Sequence, residues 1–154
     1  GLLANWPAGA ELTLVMGRHL VRLRPVVAEI LQEYPAVPVR CVGWCREVPA
    51  LLMTHDLVIS KAGGATVHEC FAAGVPVMVN YIIPGQEEGN AELLEQLGCG
   101  CRCLDPDKTG PLLARLVEGG GLAGMRLAMA RHRRPGGAVT VAREVLERLR
   151  QPAL

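Results

Sequence analysis

Aromatic side chains are scarce in this chain, at 3% of its 154 residues, although half of all residues are hydrophobic. A core must therefore be built mainly from Val, Leu, Ala and Ile. The net charge of +1 offers no general electrostatic attraction for nucleic acid, which argues against that class of partner. No apolar run reaches the roughly 18 residues that span a bilayer, and the first seven residues lack the pattern of a signal peptide.

Several ligand-binding motifs are also absent. The sequence contains neither the GxGxxG fingerprint of dinucleotide-binding proteins nor the GxxxxGK[ST] phosphate loop. Its six cysteines include Cys41 and Cys45 and the alternating Cys99, Cys101 and Cys103, but no CxxC pair typical of zinc sites. On a strand, the last three thiols would line one buried surface. We therefore expect reduced, structural cysteines in a cytosolic setting, with metal binding as the weaker alternative.

What the chain does contain is an alternation of strand-like and helix-like stretches, repeated about five times with short connections. Residues 11–17 are predicted to form a buried strand, and residues 26–34 a helix with Pro25 near its first turn. From Asp107 onward the pattern is helical. The alternation predicts one α/β domain over residues 1–154, with a Rossmann-like parallel sheet covered by helices on both faces.

The unusual residues follow the carboxyl ends of the predicted strands, where ligands bind in such folds. Lys61 to Gly64 end one strand, and the following helix would point unpaired N–H groups and a positive dipole toward a phosphate. A plain tight turn is the alternative interpretation of the glycine pair. Thr66 and Glu69 have the spacing of a capping box, so Glu69 either satisfies the helix start or accepts hydrogen bonds from ribose hydroxyls.

The loop after the next strand concentrates hydrogen-bonding groups at Gln86, Glu87, Glu88 and Asn90. Amides and carboxylates side by side suit sugar hydroxyls, which both donate and accept, although acidic residues are also favoured at an ordinary helix start. Two further strand ends carry Gly17-Arg18 and Gly43-Trp44. An arginine there could reach a diphosphate and an indole could hold a base, while a surface arginine and a packed tryptophan are the alternatives. His68 is interpreted as a packed or surface residue.

The segment "DLVISKAGGATVHECFAAGVPVMVNYIIPGQEEGNAELLEQLGCG" resembles the C-terminal, donor-binding domain of family 28 glycosyltransferases. It is most similar to monogalactosyldiacylglycerol synthases and processive diacylglycerol glucosyltransferases, and more distantly to the N-acetylglucosaminyltransferase that makes lipid II. The resemblance covers about residues 11–149. It implies the C-terminal half of a GT-B enzyme, which holds a UDP-sugar in the cleft between two Rossmann-like domains.

The resemblance also implies the roles of individual residues. The diphosphate would lie at the glycine pair and the "GR" turn, the ribose at Glu69, the uracil along residues 42–44 and the donor sugar at the "QE" pair. No metal or other cofactor is expected, because arginine and a helix dipole can neutralise the leaving diphosphate. The complete set of expected donor-binding residues is Gly17, Arg18, Gly43, Trp44, Gly63, Gly64, Thr66, Glu69, Gln86, Glu87 and Asn90.

Two features of the family have no counterpart in this sequence. Members open this domain with a strand and a glycine-rich loop, whereas residues 1–11 resemble the tail of the helix that follows that loop. The acceptor-binding N-terminal domain, with any general base, is not present either. We therefore expect a fragment of a hexosyltransferase that acts on a membrane lipid, inactive by itself and acting at the inner face of the membrane or at a plastid envelope.

Four alternatives stay open at this point. The chain could be a separate donor-binding subunit of a two-chain enzyme, a lipid II-type N-acetylglucosaminyltransferase, an NAD-binding Rossmann protein or a nucleotide-sugar epimerase. The turn "TLVMGRHLV" lacks the glycines of an NAD site, and the "PGQEEGN" loop fits a transferase better than an epimerase. The basic cluster at residues 126–134 could contact anionic lipid headgroups, or it could simply be a solvated helix face.

Overall fold

A computed structural model describes residues 2–133 and 136–150. It begins with a short 3-10 helix at Leu2–Asn5. The strands are β1 (Leu12–Gly17), β2 (Val39–Gly43), β3 (Val58–Lys61), β4 (Val77–Tyr81) and β5 (Gly100–Arg102). The helices are α1 (Leu20–Glu33), α2 (Val48–Thr54), α3 (Gly64–Ala73), α4 (Glu88–Gln96), α5 (Pro106–Glu118), α6 (Gly121–His132) and α7 (Gly137–Arg150).

All strand pairs are parallel, and helices connect them, which confirms the predicted α/β class. The strands nevertheless form two hydrogen-bonded sheets, with the orders β1-β2 and β3-β4-β5, instead of one continuous sheet. Among the described residues, one edge of β1 and one edge of β3 therefore have no strand partner.

The β3-β4-β5 sheet carries the core of the molecule. Val77 and Val79 of β4 are fully buried against residues of α3 and α4, whereas Met78, between them, packs with Leu113 of α5 on the opposite face. This alternation follows from the two-residue period of a strand. Helices thus cover both faces of this sheet, as predicted.

The prediction that β1 is a buried strand is wrong. None of its residues is buried, and Val15 is 53% exposed. The physical reason is the free edge of β1, together with an α1 helix that also contains no buried residue. The helix begins at Leu20, earlier than predicted, so Pro25 lies inside it and removes one backbone donor from the helical ladder.

The cysteines do not line a single surface. Cys99 packs in the core beside Val77, while Cys101 and Cys103 belong to the cluster around Met78 on the other face, because the three-residue β5 begins only after Cys99. All six cysteines are free thiols, and burial raises the pKa of Cys101 to about 11. Within the described residues, no group of three or more side chains could hold a metal ion.

Candidate functional site

The turn between β3 and α3 exposes the start of a helix at the carboxyl end of a strand. Gly63 is the N-cap residue, and the first bond of the helix joins the N–H of Val67 to its carbonyl oxygen at 2.9 Å. The N–H groups of Gly64, Ala65 and Thr66 therefore have no acceptor inside the helix. Three free donors and the positive end of the helix dipole favour an anion at this position.

Asn90 of α4 stabilises this turn through its side-chain amide. Its Nδ2 atom donates a hydrogen bond of 2.9 Å to the carbonyl oxygen of Ala62, the residue before the glycine pair. A Cβ atom added to Gly64 would lie 3.7 Å from the same Nδ2 atom, an ordinary contact. The structure thus brings Asn90 and the glycine pair together, as expected for residues that follow the carboxyl ends of neighbouring parallel strands.

An ion pair between Lys61 and Glu87 lies across the same turn. Lys61 is the last residue of β3, and its ammonium group pairs with Oε1 of Glu87, whose side chain is only 6% exposed. The second carboxylate oxygen accepts a hydrogen bond of 3.1 Å from the N–H of Ile83. The hydrogen bond from Lys61, followed by that from Ile83, holds the pKa of Glu87 below its usual value.

Gly63 leaves the space that this ion pair occupies. A Cβ atom at Gly63 would lie 2.8 Å from Nζ of Lys61 and 3.4 Å from Oε1 of Glu87. The first of these contacts is too short for any side chain without movement of the lysine. Position 63 therefore favours glycine for the room it leaves beside the ion pair, since a side chain there would displace the ammonium group of Lys61, although the φ of −64° is open to other residues.

The three polar residues at the start of α4, Gln86, Glu87 and Glu88, have different surroundings. Glu87 is buried at the turn, Gln86 is exposed, and Oε1 of Glu88 accepts a 2.7 Å hydrogen bond from the N–H of Gly85. That bond lowers the pKa of Glu88. Gly85 has a φ of 79°, so this position of the turn favours glycine. The N–H of Gln86 donates a 3.2 Å hydrogen bond to the carbonyl oxygen of Ile83, whereas its side chain makes no hydrogen bond among the described residues.

The capping-box interpretation of Thr66 and Glu69 is wrong. The N-cap is Gly63, three residues before Thr66, and no side chain caps the helix. Glu69 is exposed and lies about 7.5 Å along the axis from the first helical residue, at 1.5 Å per residue. It lines a groove of about 680 Å³ formed by α3, α4 and the start of α7. His68 lines the same groove at the surface, as one of its two interpretations expected.

The tips of β1 and β2 form a second group. Gly17 has a φ of 55° and pairs with Gly43 across the two strands. A Cβ atom added to Gly43 would lie 3.1 Å from Cδ2 of Leu20. Trp44 follows directly and is 59% exposed, with the guanidinium of Arg46 at 5.9 Å from its ring centre. The interpretation of Trp44 as a simple packing residue is therefore wrong.

The predicted residues thus divide into three places. Gly63, Gly64, Glu87 and Asn90 form one cluster at the β3–α3 turn. Glu69 lies in the groove beside it, and the glycines of the other sheet lie at the tips of β1 and β2. Within residues 2–133 and 136–150, no hydrogen bond or ion pair connects Arg18, Glu69 and Gln86 with one another. Sequence reasoning assigned no role to Lys61, although its place at the end of a strand was a signal.

The basic cluster on α6 is partly engaged by protein groups. Arg126 forms an ion pair with Asp56, and Nε of Arg133 donates a 2.8 Å hydrogen bond to the carbonyl of Ala72. Arg134 lies outside the described residues. None of the described helices is both long and apolar enough to cross a bilayer.

Comparison with known proteins identifies relatives over most of the chain. The chain is 30% identical over 105 residues to monogalactosyldiacylglycerol synthase 3 of Arabidopsis thaliana, which covers 68% of this chain and 22% of that protein. It is 31% identical over 88 residues to the processive diacylglycerol β-glucosyltransferase of Bacillus pumilus, covering 57% of this chain and 22% of that protein. The chain therefore spans about a fifth of the length of the curated relatives it matches.

Solved structures share the fold. The chain aligns with Acinetobacter baumannii MurG with a TM-score of 0.74 and 19% identity, over 90% of this chain and 42% of that one. It aligns with Anabaena Alr3699/HepE in complex with UDP-glucose with a TM-score of 0.60 and 20% identity, over 96% and 42% of the two chains. The family model "Glycosyltransferase family 28 C-terminal domain" matches residues 10–142. The chain belongs to this family.

Proposed function

We propose that the chain binds a UDP-sugar and is the donor-binding half of a longer hexosyltransferase that acts on a diacylglycerol-type membrane lipid. The observation that carries the proposal is the start of α3. Its three free N–H groups lie next to the buried carboxylate of Glu87. About one and a half helical turns further along α3 lies the exposed carboxylate of Glu69. This order matches the order of groups in a nucleotide sugar.

In the proposed arrangement, the diphosphate binds the N–H groups of Gly64, Ala65 and Thr66. Glu69 accepts hydrogen bonds from the ribose hydroxyls, and Glu87 with Gln86 contacts the hydroxyls of the sugar. The base lies toward the exposed ring of Trp44 beyond the β2 tip. Arg18 is exposed at the tip of β1, and a planar guanidinium there complements a diphosphate.

The relatives support the substrate class. The Arabidopsis protein is named a monogalactosyldiacylglycerol synthase and the Bacillus protein a processive diacylglycerol β-glucosyltransferase. Alr3699/HepE was solved in complex with UDP and with UDP-glucose. Galactose and glucose are therefore the donor sugars that we propose first. The proposal needs no metal, because the helix start and arginine supply positive charge for the leaving diphosphate.

The split sheet supports the proposal that the chain is part of a longer protein. A doubly wound fold with the strand order 3-2-1-4-5-6 that lacked its strand 1 would show the orders 3-2 and 4-5-6. These are the two sheets observed, with β1 and β3 each open at one edge. The coding sequence upstream of residue 1 should then encode an apolar strand and a glycine-rich loop. A separate-chain subunit would also need that strand and loop, so an acceptor-binding domain encoded still further upstream is what would distinguish a single-chain enzyme from it.

We place the acceptor site, the general base and the main membrane contact in the segment upstream of this chain. The chain by itself should therefore release no sugar from UDP-galactose or UDP-glucose in the presence of diacylglycerol vesicles. A robust glycolipid product from this chain alone would overturn that assignment.

Binding of UDP and 2′-deoxy-UDP to the chain, measured by calorimetry, tests the site. If Glu69 contacts the ribose, Glu69→Gln should weaken UDP binding by about tenfold, or about 1.4 kcal/mol, and should abolish the preference for UDP over 2′-deoxy-UDP. Glu118→Gln, at an exposed carboxylate on α5, is the matched control and should change neither value. Equal binding of NAD and UDP, or an unchanged preference in Glu69→Gln, would refute the assignment.

A further inference from the structure

The ion pair at the β3–α3 turn involves two groups of very different exposure. The side chain of Lys61 is 48% exposed, whereas that of Glu87 is 6% exposed. A half-exposed ammonium group on a flexible four-carbon chain can change partners by rotation, but a buried carboxylate cannot leave its place. The lysine is therefore the mobile member of the pair.

The position of the pair puts Lys61 beside the proposed phosphate site. The space beside Gly63, the N-cap of α3, is filled by Nζ of Lys61 and Oε1 of Glu87, as the contacts of an added Cβ atom show. A positive charge beside the N-cap of α3 thus comes from a residue to which no function has been assigned. In the observed arrangement, that charge is neutralised by a carboxylate.

The contact with Lys61 also occupies the carboxylate of Glu87, the proposed sugar-binding group. One oxygen of Glu87 accepts from Lys61 and the other from the N–H of Ile83. An oxygen that already accepts from an ammonium group is a weaker acceptor for a sugar hydroxyl. Phosphate recognition by Lys61 and sugar recognition by Glu87 are therefore in competition with the contact between these two residues.

We infer that Lys61 exchanges partners when the donor binds. Its ammonium group moves from Glu87 to the diphosphate, and a hydroxyl of the sugar then takes the place of the ammonium group on Glu87. This inference rests on the proposed function. A diphosphate carries more negative charge than one carboxylate and lies at the positive end of α3, so it can attract the lysine. A nucleotide without a sugar would leave the buried Glu87 without a partner for Oε1, which is costly. Lys61 thereby couples the two halves of the donor and makes the site prefer a complete nucleotide sugar over free UDP.

Two substitutions separate this exchange from a fixed structural ion pair. Glu87→Gln keeps the shape of the side chain and the acceptor for Ile83, but it releases Lys61. We expect this variant to bind UDP about three- to fivefold more tightly than the wild-type chain and to bind UDP-galactose and UDP-glucose more weakly. Lys61→Met should weaken the binding of UDP and of both UDP-sugars, and Lys61→Met/Glu87→Gln should recover part of the UDP affinity.

Calorimetry on the chain, with circular dichroism to verify folding, gives decisive outcomes. Opposite shifts for UDP and for the UDP-sugars in Glu87→Gln support the exchange. A parallel loss for all ligands, or no change, would show that the ion pair only holds the loop, and it would overturn the inference. If the folded wild-type chain bound neither UDP nor any UDP-sugar, the proposed function itself would be wrong, and the exchange would be wrong with it. Lys108→Met, which removes an exposed ammonium group from α5, is the control for a general charge effect.

Discussion

Replacing Gly63 by alanine should destabilise the chain, whereas the same replacement at the neighbouring Gly64 should not. The new Cβ atom at position 63 would lie 2.8 Å from Nζ of Lys61, and a relaxed contact needs about 3.4 Å, so the ammonium group must retreat by about 0.6 Å. The ammonium group ends a flexible, half-exposed side chain, so most of this retreat costs little, and the remaining cost is a looser contact with Glu87. Alanine is also a poorer N-cap than glycine.

Together, the poorer cap and the displaced ammonium group should lower the free energy of unfolding by about 0.5–1.5 kcal/mol. At Gly64 the new methyl group would make an ordinary contact of 3.7 Å with Asn90, inside a helix that alanine favours. We expect a change within about 0.5 kcal/mol or a small gain at that position. Urea unfolding followed by circular dichroism measures the free energy of unfolding of both variants. The comparison with the wild type holds when the dependence of that free energy on urea concentration is the same for all three proteins. Equal midpoints for Gly63→Ala and the wild type, or a larger loss at Gly64, would refute the reasoning.

Two further predictions concern the core. Gly100→Ala should lower the free energy of unfolding by about 1–3 kcal/mol, because its Cβ atom would lie 2.3 Å from the carbonyl oxygen of Val77 on the paired strand. Gly124→Ala, with nothing within 4 Å, should raise it by about 0.5–1 kcal/mol in the same unfolding assay. A mild effect at Gly100 would contradict the packing. Burial, with a smaller contribution from Glu69, raises the pKa of Cys70 from 9.0 to about 12. Above pH 9 the unfolded chain therefore loses a proton that the folded chain keeps, and stability should fall by no more than about 1.4 kcal/mol per pH unit up to pH 12. Cys70→Ala should show a shallower decline over that range, and parallel profiles would count against this cause.

The site illustrates what local sequence can and cannot predict. The glycine pair after β3 and the helix start that follows were predictable because turn and helix signals act over a few residues. The role of Gly63 was not, because the atoms that would meet a side chain there belong to Lys61 and Glu87, and Glu87 is 24 residues further along the chain. Likewise, the Thr66 and Glu69 spacing fits a capping box, but the helix starts at Gly64, which puts Thr66 inside its first turn.

The sequence by itself determined the α/β class, the parallel strands and the family, because these depend on the periodicity of apolar residues and on contiguous motifs. The tertiary structure alone decided that the sheet is split between β1 and β3, that Cys99 and Cys103 face opposite sides, and that Lys61 is paired with a buried Glu87. Each of these facts depends on which segments, distant along the chain, lie next to each other in space. A pattern read along one segment contains the preference of each residue for burial or charge, but not the identity of the neighbour that satisfies it.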